Sequence, residues 1–162
     1  TELTVEIGQE LALSLKTVNT GSSSEVVGGA LHSYFSVSSI SDVTITGLED
    51  TPFHDALTGL TGEEDKAIQI KQEVDRVYQE TTSAVVLRDE NWKREIHVDK
   101  TGSRSTIVWN PWIEKSASMG DLGNDEYQNF VCVETANVLE DVYQLTPGGS
   151  HTMTAVISTK QL

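Results

Sequence analysis

His32, Glu134 and Asp75 are the residues whose types and settings best fit proton-transfer chemistry. A histidine and a carboxylate change protonation at accessible pH, so together they can serve as general acid and base. His32 lies in Ala30-Leu31-His32-Ser33-Tyr34-Phe35. Strand alternation sets Ala30, His32 and Tyr34 on one face and Leu31, Ser33 and Phe35 on the other. The histidine face is either a packed core or a cleft. Glu134 follows Phe130-Val131-Cys132-Val133 and shares a face with Phe130 and Cys132. A carboxylate there is either the first exposed residue beyond a strand or a group kept near the apolar run for use, since burying it unpaired is costly. Asp75 opens Asp75-Arg76-Val77-Tyr78, as a salt-bridged strand start or as a second carboxylate of the site. His54 and His151 sit near turns and His97 in a strand of mixed charge, so all three read as solvated.

Other chemistries lack their residues. The chain has no GxSxG, GxGxxG, P-loop or HExxH pattern. Cys132 is the single cysteine, which rules out an internal disulfide and a multi-cysteine zinc cluster. Without a sequence-local activating partner it reads as a small buried hydrophobe. Trp109 and Trp112 bracket Asn110-Pro111, as core packing or as a sugar-stacking surface. Eleven Lys+Arg against 25 Asp+Glu give a net charge of −14 at pH 7. Such a surface repels phosphate backbones and anionic membranes, while leaving room for one anion held by local arginines. No apolar run reaches the roughly 20 residues of a membrane helix.

The elements that must position these side chains are strands. Leu3, Val5 and Ile7 alternate, as do Leu11, Leu13 and Leu15, with Gly8-Gln9 between them as a turn. Residues 29–37, 43–46, 67–70, 74–78, 84–87, 92–98, 105–109, 130–133, 142–145 and 152–158 read as further strands. Residues 48–66, with Pro52 and Glu63-Glu64-Asp65, read as a long irregular connection. Asp89-Glu90-Asn91, Asp99-Lys100-Thr101-Gly102 and Pro147-Gly148-Gly149 read as turns. Short helical turns fit at 116–121 or 136–141. Many short strands with regular turns predict an all-β sandwich or barrel, in one domain over residues 1–162. The opening Thr1-Glu2-Leu3 has neither Met nor a leader pattern, which predicts a piece of a longer chain and leaves an upstream targeting segment open.

Ordered strings sharpen this reading. Ala30-Leu31-His32-Ser33-Tyr34-Phe35 with Val37 resembles the ALHSYF-x-V segment of the hexose-6-phosphate mutarotases, the glucose-6-phosphate 1-epimerases of the aldose 1-epimerase superfamily. Thr46-Gly47-Leu48, Asp75-Arg76-Val77-Tyr78, Val108-Trp109-Asn110-Pro111-Trp112 and Leu145-Thr146-Pro147-Gly148 are similar to further family strings. So are Ser118-Met119-Gly120-Asp121, Tyr127 and Phe130-Val131-Cys132-Val133-Glu134. Val74 stands where the family usually has Thr.

The resemblance implies a galactose-mutarotase-like β-sandwich, or supersandwich, of which this chain is the C-terminal portion without the N-terminal strands. It implies His32 as catalytic acid, Glu134 as catalytic base and Asp75 as a ligand of sugar hydroxyls. The implied reaction is exchange of the α and β anomers of a hexose 6-phosphate, with no metal or organic cofactor, in the cytoplasm. The implied partners are a hexose or hexose phosphate, and the missing N-terminal half or a second copy of the chain. Nucleic acid and membrane are not expected. The arginines present are Arg76, Arg88, Arg94 and Arg104, and none lies in the family's phosphate-gripping segments. The alternative is a non-catalytic carbohydrate-binding or protein-interaction β-sandwich, since one fold serves many functions.

Overall fold

Antiparallel pairing joins all the strands of the computed structural model, which describes residues 1–162. In chain order they are β1 (Glu2–Ile7), β2 (Leu11–Val18), β3 (Glu25–Val27), β4 (Gly29–Leu31), β5 (Tyr34–Ser36), β6 (Val43–Thr46), β7 (Thr51–Asp55) and β8 (Thr61–Glu64). Then follow β9 (Val74–Tyr78), β10 (Val85–Asp89), β11 (Arg94–Thr101), β12 (Ser105–Asn110), β13 (Phe130–Asn137), β14 (Tyr143–Leu145) and β15 (Ser150–Gln161). One helix, α1, spans Trp112–Ser118. The first sheet runs β1-β2-β15-β11-β10-β6 and the second β4-β13-β12-β9-β7-β8, with β5 also on β13. A ribbon of β14 and β3 stands apart.

The core fills the space between the two sheets. The first supplies Val43, Ile45, Val85, Leu87, Ile96 and Val98, the second Phe35, Val74, Tyr78, Val108, Val131 and Val133. Alternation along β13 therefore spends Val131 and Val133 on the core and turns Cys132 and Glu134 to the opposite face.

Residues 29–37 are not one strand but β4 and β5, broken at His32 and Ser33, and further segments depart from the sequence reading. Residues 48–66 are not irregular, because β7 and β8 form a hairpin at the end of the second sheet. Its edge strand Thr61-Gly62-Glu63-Glu64 lacks an apolar alternation, so ladder hydrogen bonds define it rather than burial. Residues 67–70 make only an isolated bridge, Ile45 to Ile68. Asp99 to Thr101 continue β11, and the turn falls at Gly102, whose φ is +68°. A Cβ on Gly102 would sit 2.0 Å from the Thr152 carbonyl oxygen, so the polar letters marked a turn a few residues early.

Candidate active site

Strand register assembles the site on the face of the second sheet that looks away from the core. Tyr34 pairs with Cys132, Cys132 with Trp109, and Trp109 with Asp75, so four strands contribute one transverse row. In the next row Glu134 pairs with Ile107, which pairs with Val77. His32 occupies the break between β4 and β5, bracketed by Leu31 opposite Thr135 and Tyr34 opposite Cys132. The break sets the imidazole beside Glu134, with Nε2 3.3 Å from Oε1. Its side chain is 48% exposed, so of core and cleft it has the open face.

Glu134 is not the first exposed residue after a strand. β13 continues to Asn137, and Glu134 is 3% exposed in the middle of it. Loss of solvation, then the negative charge of Asp75, pushes its pKa up to about 7. Asp75 is itself raised, by burial and by Asp55, with His32 and Lys115 opposing. One carboxylate, Glu134, thus contacts the imidazole and is poised to take or give a proton near neutrality, while Asp75 lies near enough for its charge to act on it.

Aromatic rings frame the pair. Tyr34 stacks on His32 with centroids 4.8 Å apart and planes 14° apart, and Trp109 meets the imidazole edge-on at 5.8 Å. Phe130 closes the group against Tyr34 at 5.2 Å. Alternation had set Tyr34 on the histidine face, but only strand pairing brings it to Trp109 and Phe130. Trp109 therefore belongs to the site face, whereas Trp112 packs against the core with Tyr127. Burial, with the nearby Glu134 and Asp121 charges adding to it, raises the Tyr34 phenol, so it stays a neutral hydrogen-bonding group.

Arg76 lies on the opposite face from Asp75, in register with the core residue Val108. Its guanidinium pairs with Glu64 at 3.0 Å and Asp55 at 3.5 Å. Arg88 pairs with Glu90 and Glu95, and Arg94 donates to the Ser36 carbonyl and stacks on Trp92. The site opens to solvent at the half-exposed His32 and the exposed Tyr34, with Glu134 buried beneath them. For a metal, the donors at hand are His32, Cys132 and Glu134, whose ligand atoms all lie within 4.8 Å of one another. His54, His97 and His151 lie outside this group, and His151 contacts the Gly102 carbonyl and Asn137.

The model of the aldose 1-epimerase family matches residues 1–158. The chain belongs to the aldose 1-epimerase family. Among its relatives, the "Putative glucose-6-phosphate 1-epimerase" of Cenchrus ciliaris is 40% identical over 121 residues, covering 74% of this chain and 36% of that protein. The protein of the same name in Salmonella typhimurium is 38% identical over 109 residues, covering 65% and 36%. The chain thus spans about a third of the length of the curated relatives it matches. The crystal structure of YeaD from Salmonella typhimurium superposes with a TM-score of 0.89 at 28% identity, over 99% of this chain and 53% of that one. A galactose mutarotase-like protein from Clostridium acetobutylicum, at 12% identity and TM-score 0.73 over 99% and 55%, shows the shared fold alone. The architecture is therefore the all-β, galactose-mutarotase-like one that the aldose 1-epimerase strings implied.

Proposed function

We propose that this chain carries the acid/base pair of a mutarotase that exchanges the α and β anomers of a hexose or hexose 6-phosphate. The observation that carries the reading is the 3.3 Å approach of His32 Nε2 to Glu134 Oε1 on an open, aromatic-lined sheet face. Anomer exchange opens a hemiacetal, in which the hydroxyl oxygen O1 and the ring oxygen O5 are bonded to the same carbon. An acid and a base that serve those two oxygens must therefore stand side by side. Glu134 takes the O1 proton as the C1–O5 bond breaks, and protonated His32 delivers a proton to O5. The aldehyde turns about C1–C2 and recloses on its other face, with the two roles reversed. A carboxyl whose pKa is about 7 suits the base, because proton transfer is most efficient when donor and acceptor are matched to the working pH.

Asp75 accepts hydrogen bonds from sugar hydroxyls, and no ion pair ties up its carboxylate, the His32 and Lys115 charges acting on it only from a distance. Tyr34 and Trp109 present ring faces and edges to the apolar side of a pyranose. Holding the sugar in this way fixes C1 over the pair. Among the arginines, Arg76, Arg88 and Arg94 are engaged elsewhere. Exchange NMR on glucose 6-phosphate and on glucose tests the reading. The α and β signals should exchange faster with protein present, and a methyl glucoside, which cannot open, should bind without exchange. Binding of all three sugars with no acceleration of either free sugar would leave a carbohydrate-binding module instead.

A further inference from the structure

We propose that His32, Cys132 and Glu134 bind a borderline-soft divalent cation such as Zn²⁺ or Cd²⁺, and that the bound ion shuts off the acid/base pair. The three ligand atoms lie within 4.8 Å of one another, and the histidine and glutamate atoms are 3.3 Å apart. A tetrahedral zinc ion with arms of about 2.0–2.3 Å keeps its ligands about 3.3–3.8 Å apart. The imidazole and carboxylate already have that spacing, and the sulfur needs a shift of about 1 Å, within reach of small side-chain rotations. Imidazole, thiolate and carboxylate together suit zinc and cadmium better than the hard cations calcium and magnesium.

The fold fixes the set. Cys132 and Glu134 are two apart on one face of β13, and His32 comes from the strand break beside them. The sulfur and the carboxylate are buried, so the ion enters past the half-exposed imidazole, and that side leaves a fourth position for water. On binding, metal–sulfur and metal–nitrogen bonds replace the Cys132 S–H bond and the N–H bond that His32 carries as the acid, and both protons leave to solvent, with no change of oxidation state. The ion occupies the Glu134 lone pair that takes the O1 proton and the His32 nitrogen that delivers a proton to O5. The shut-off half of the proposal rests on the mutarotase reading, whereas the binding half does not.

Cadmium titration of the purified chain, followed by thiolate-to-cadmium charge-transfer absorption, tests the binding. One ion per chain is expected, displaced by Zn²⁺. Cys132→Ser and, as a variant that puts no new polar atom in the buried position, Cys132→Ala should both abolish the band. His32→Ala and Glu134→Gln should each keep the thiol but weaken cadmium about tenfold or more. No band in the native chain, or an unchanged affinity in both His32→Ala and Glu134→Gln, overturns the site. In parallel, Zn²⁺ should inhibit anomer exchange in competition with the sugar, reversibly by chelator, with Cys132→Ala resistant. Exchange that persists with the site saturated overturns the shut-off. A chain with no exchange at all removes the mutarotase reading and the shut-off with it, while the cadmium band still decides the site.

Discussion

Glu134 is a buried acid whose environment, not its type, sets its chemistry. Burial and the Asp75 charge both disfavour its ionised form. The base must be ionised to accept the O1 proton, so exchange should fall as pH drops through about 7. Asp75→Asn removes the second cause. The acidic limb of the rate profile should then move to lower pH, and KM should rise through loss of a hydroxyl ligand. A profile that stays put in Asp75→Asn would deny the coupling of the two carboxylates. Tyr34→Ala removes the ring stacked on His32 and should lower kcat about tenfold, more than a lost surface contact would. Unchanged exchange in this variant would show that the stack does not orient the acid. At this scale alternation was legible: it set His32 with Tyr34, and Cys132 with Glu134. It gave no sign that these faces adjoin, because β4 and β13 are about a hundred residues apart in the chain and pair only in the fold.

β11 shows where element-scale reading loses its signal. Asp99-Lys100-Thr101-Gly102 has the composition of a turn, yet the strand runs through Thr101 and carries Lys100 inward. Its ammonium is satisfied by the Ser105 carbonyl at 2.8 Å and the Thr106 hydroxyl at 2.7 Å, partners on β12 that no local pattern reveals. Burial lowers its pKa to about 8 from an ordinary 10.5. The unfolded chain therefore binds more protons than the folded one between those values, and stability should rise with pH across that window. The gain is on the order of 3 kcal/mol. Urea titrations at pH 7.5 and at about pH 10 should show it in the native chain and lose it in Lys100→Met. The same rise in both would exclude Lys100 as its source. β7 and β8 were missed for a related reason: their pairing depends on register with β9, while Pro52 and the glutamates resemble a loop.

For the whole molecule, the strand-rich alternation and turn spacing announced the all-β class, and the ordered strings announced the family that residues 1–158 match. The sheet order could not be read, because β2 comes to lie beside β15 from the other end of the chain, with β1 outside it. β1 is an outer strand with Leu3, Val5 and Ile7 at 54%, 48% and 85% exposure. Apolar edges of this kind promote association, and a net charge of −14 opposes it until salt screens the repulsion. Sedimentation velocity should show association that grows with concentration and with salt, while a monomer under all conditions would contradict this. The central claim is that one histidine and one glutamate on an open sheet face open the sugar ring. Its most direct test is α/β exchange NMR on glucose 6-phosphate and glucose with the native chain, His32→Ala and Glu134→Gln, each checked for native thermal unfolding. The account predicts acceleration by the native chain and a loss of about 10²–10⁴-fold in each variant; native-like exchange in either folded variant would contradict it.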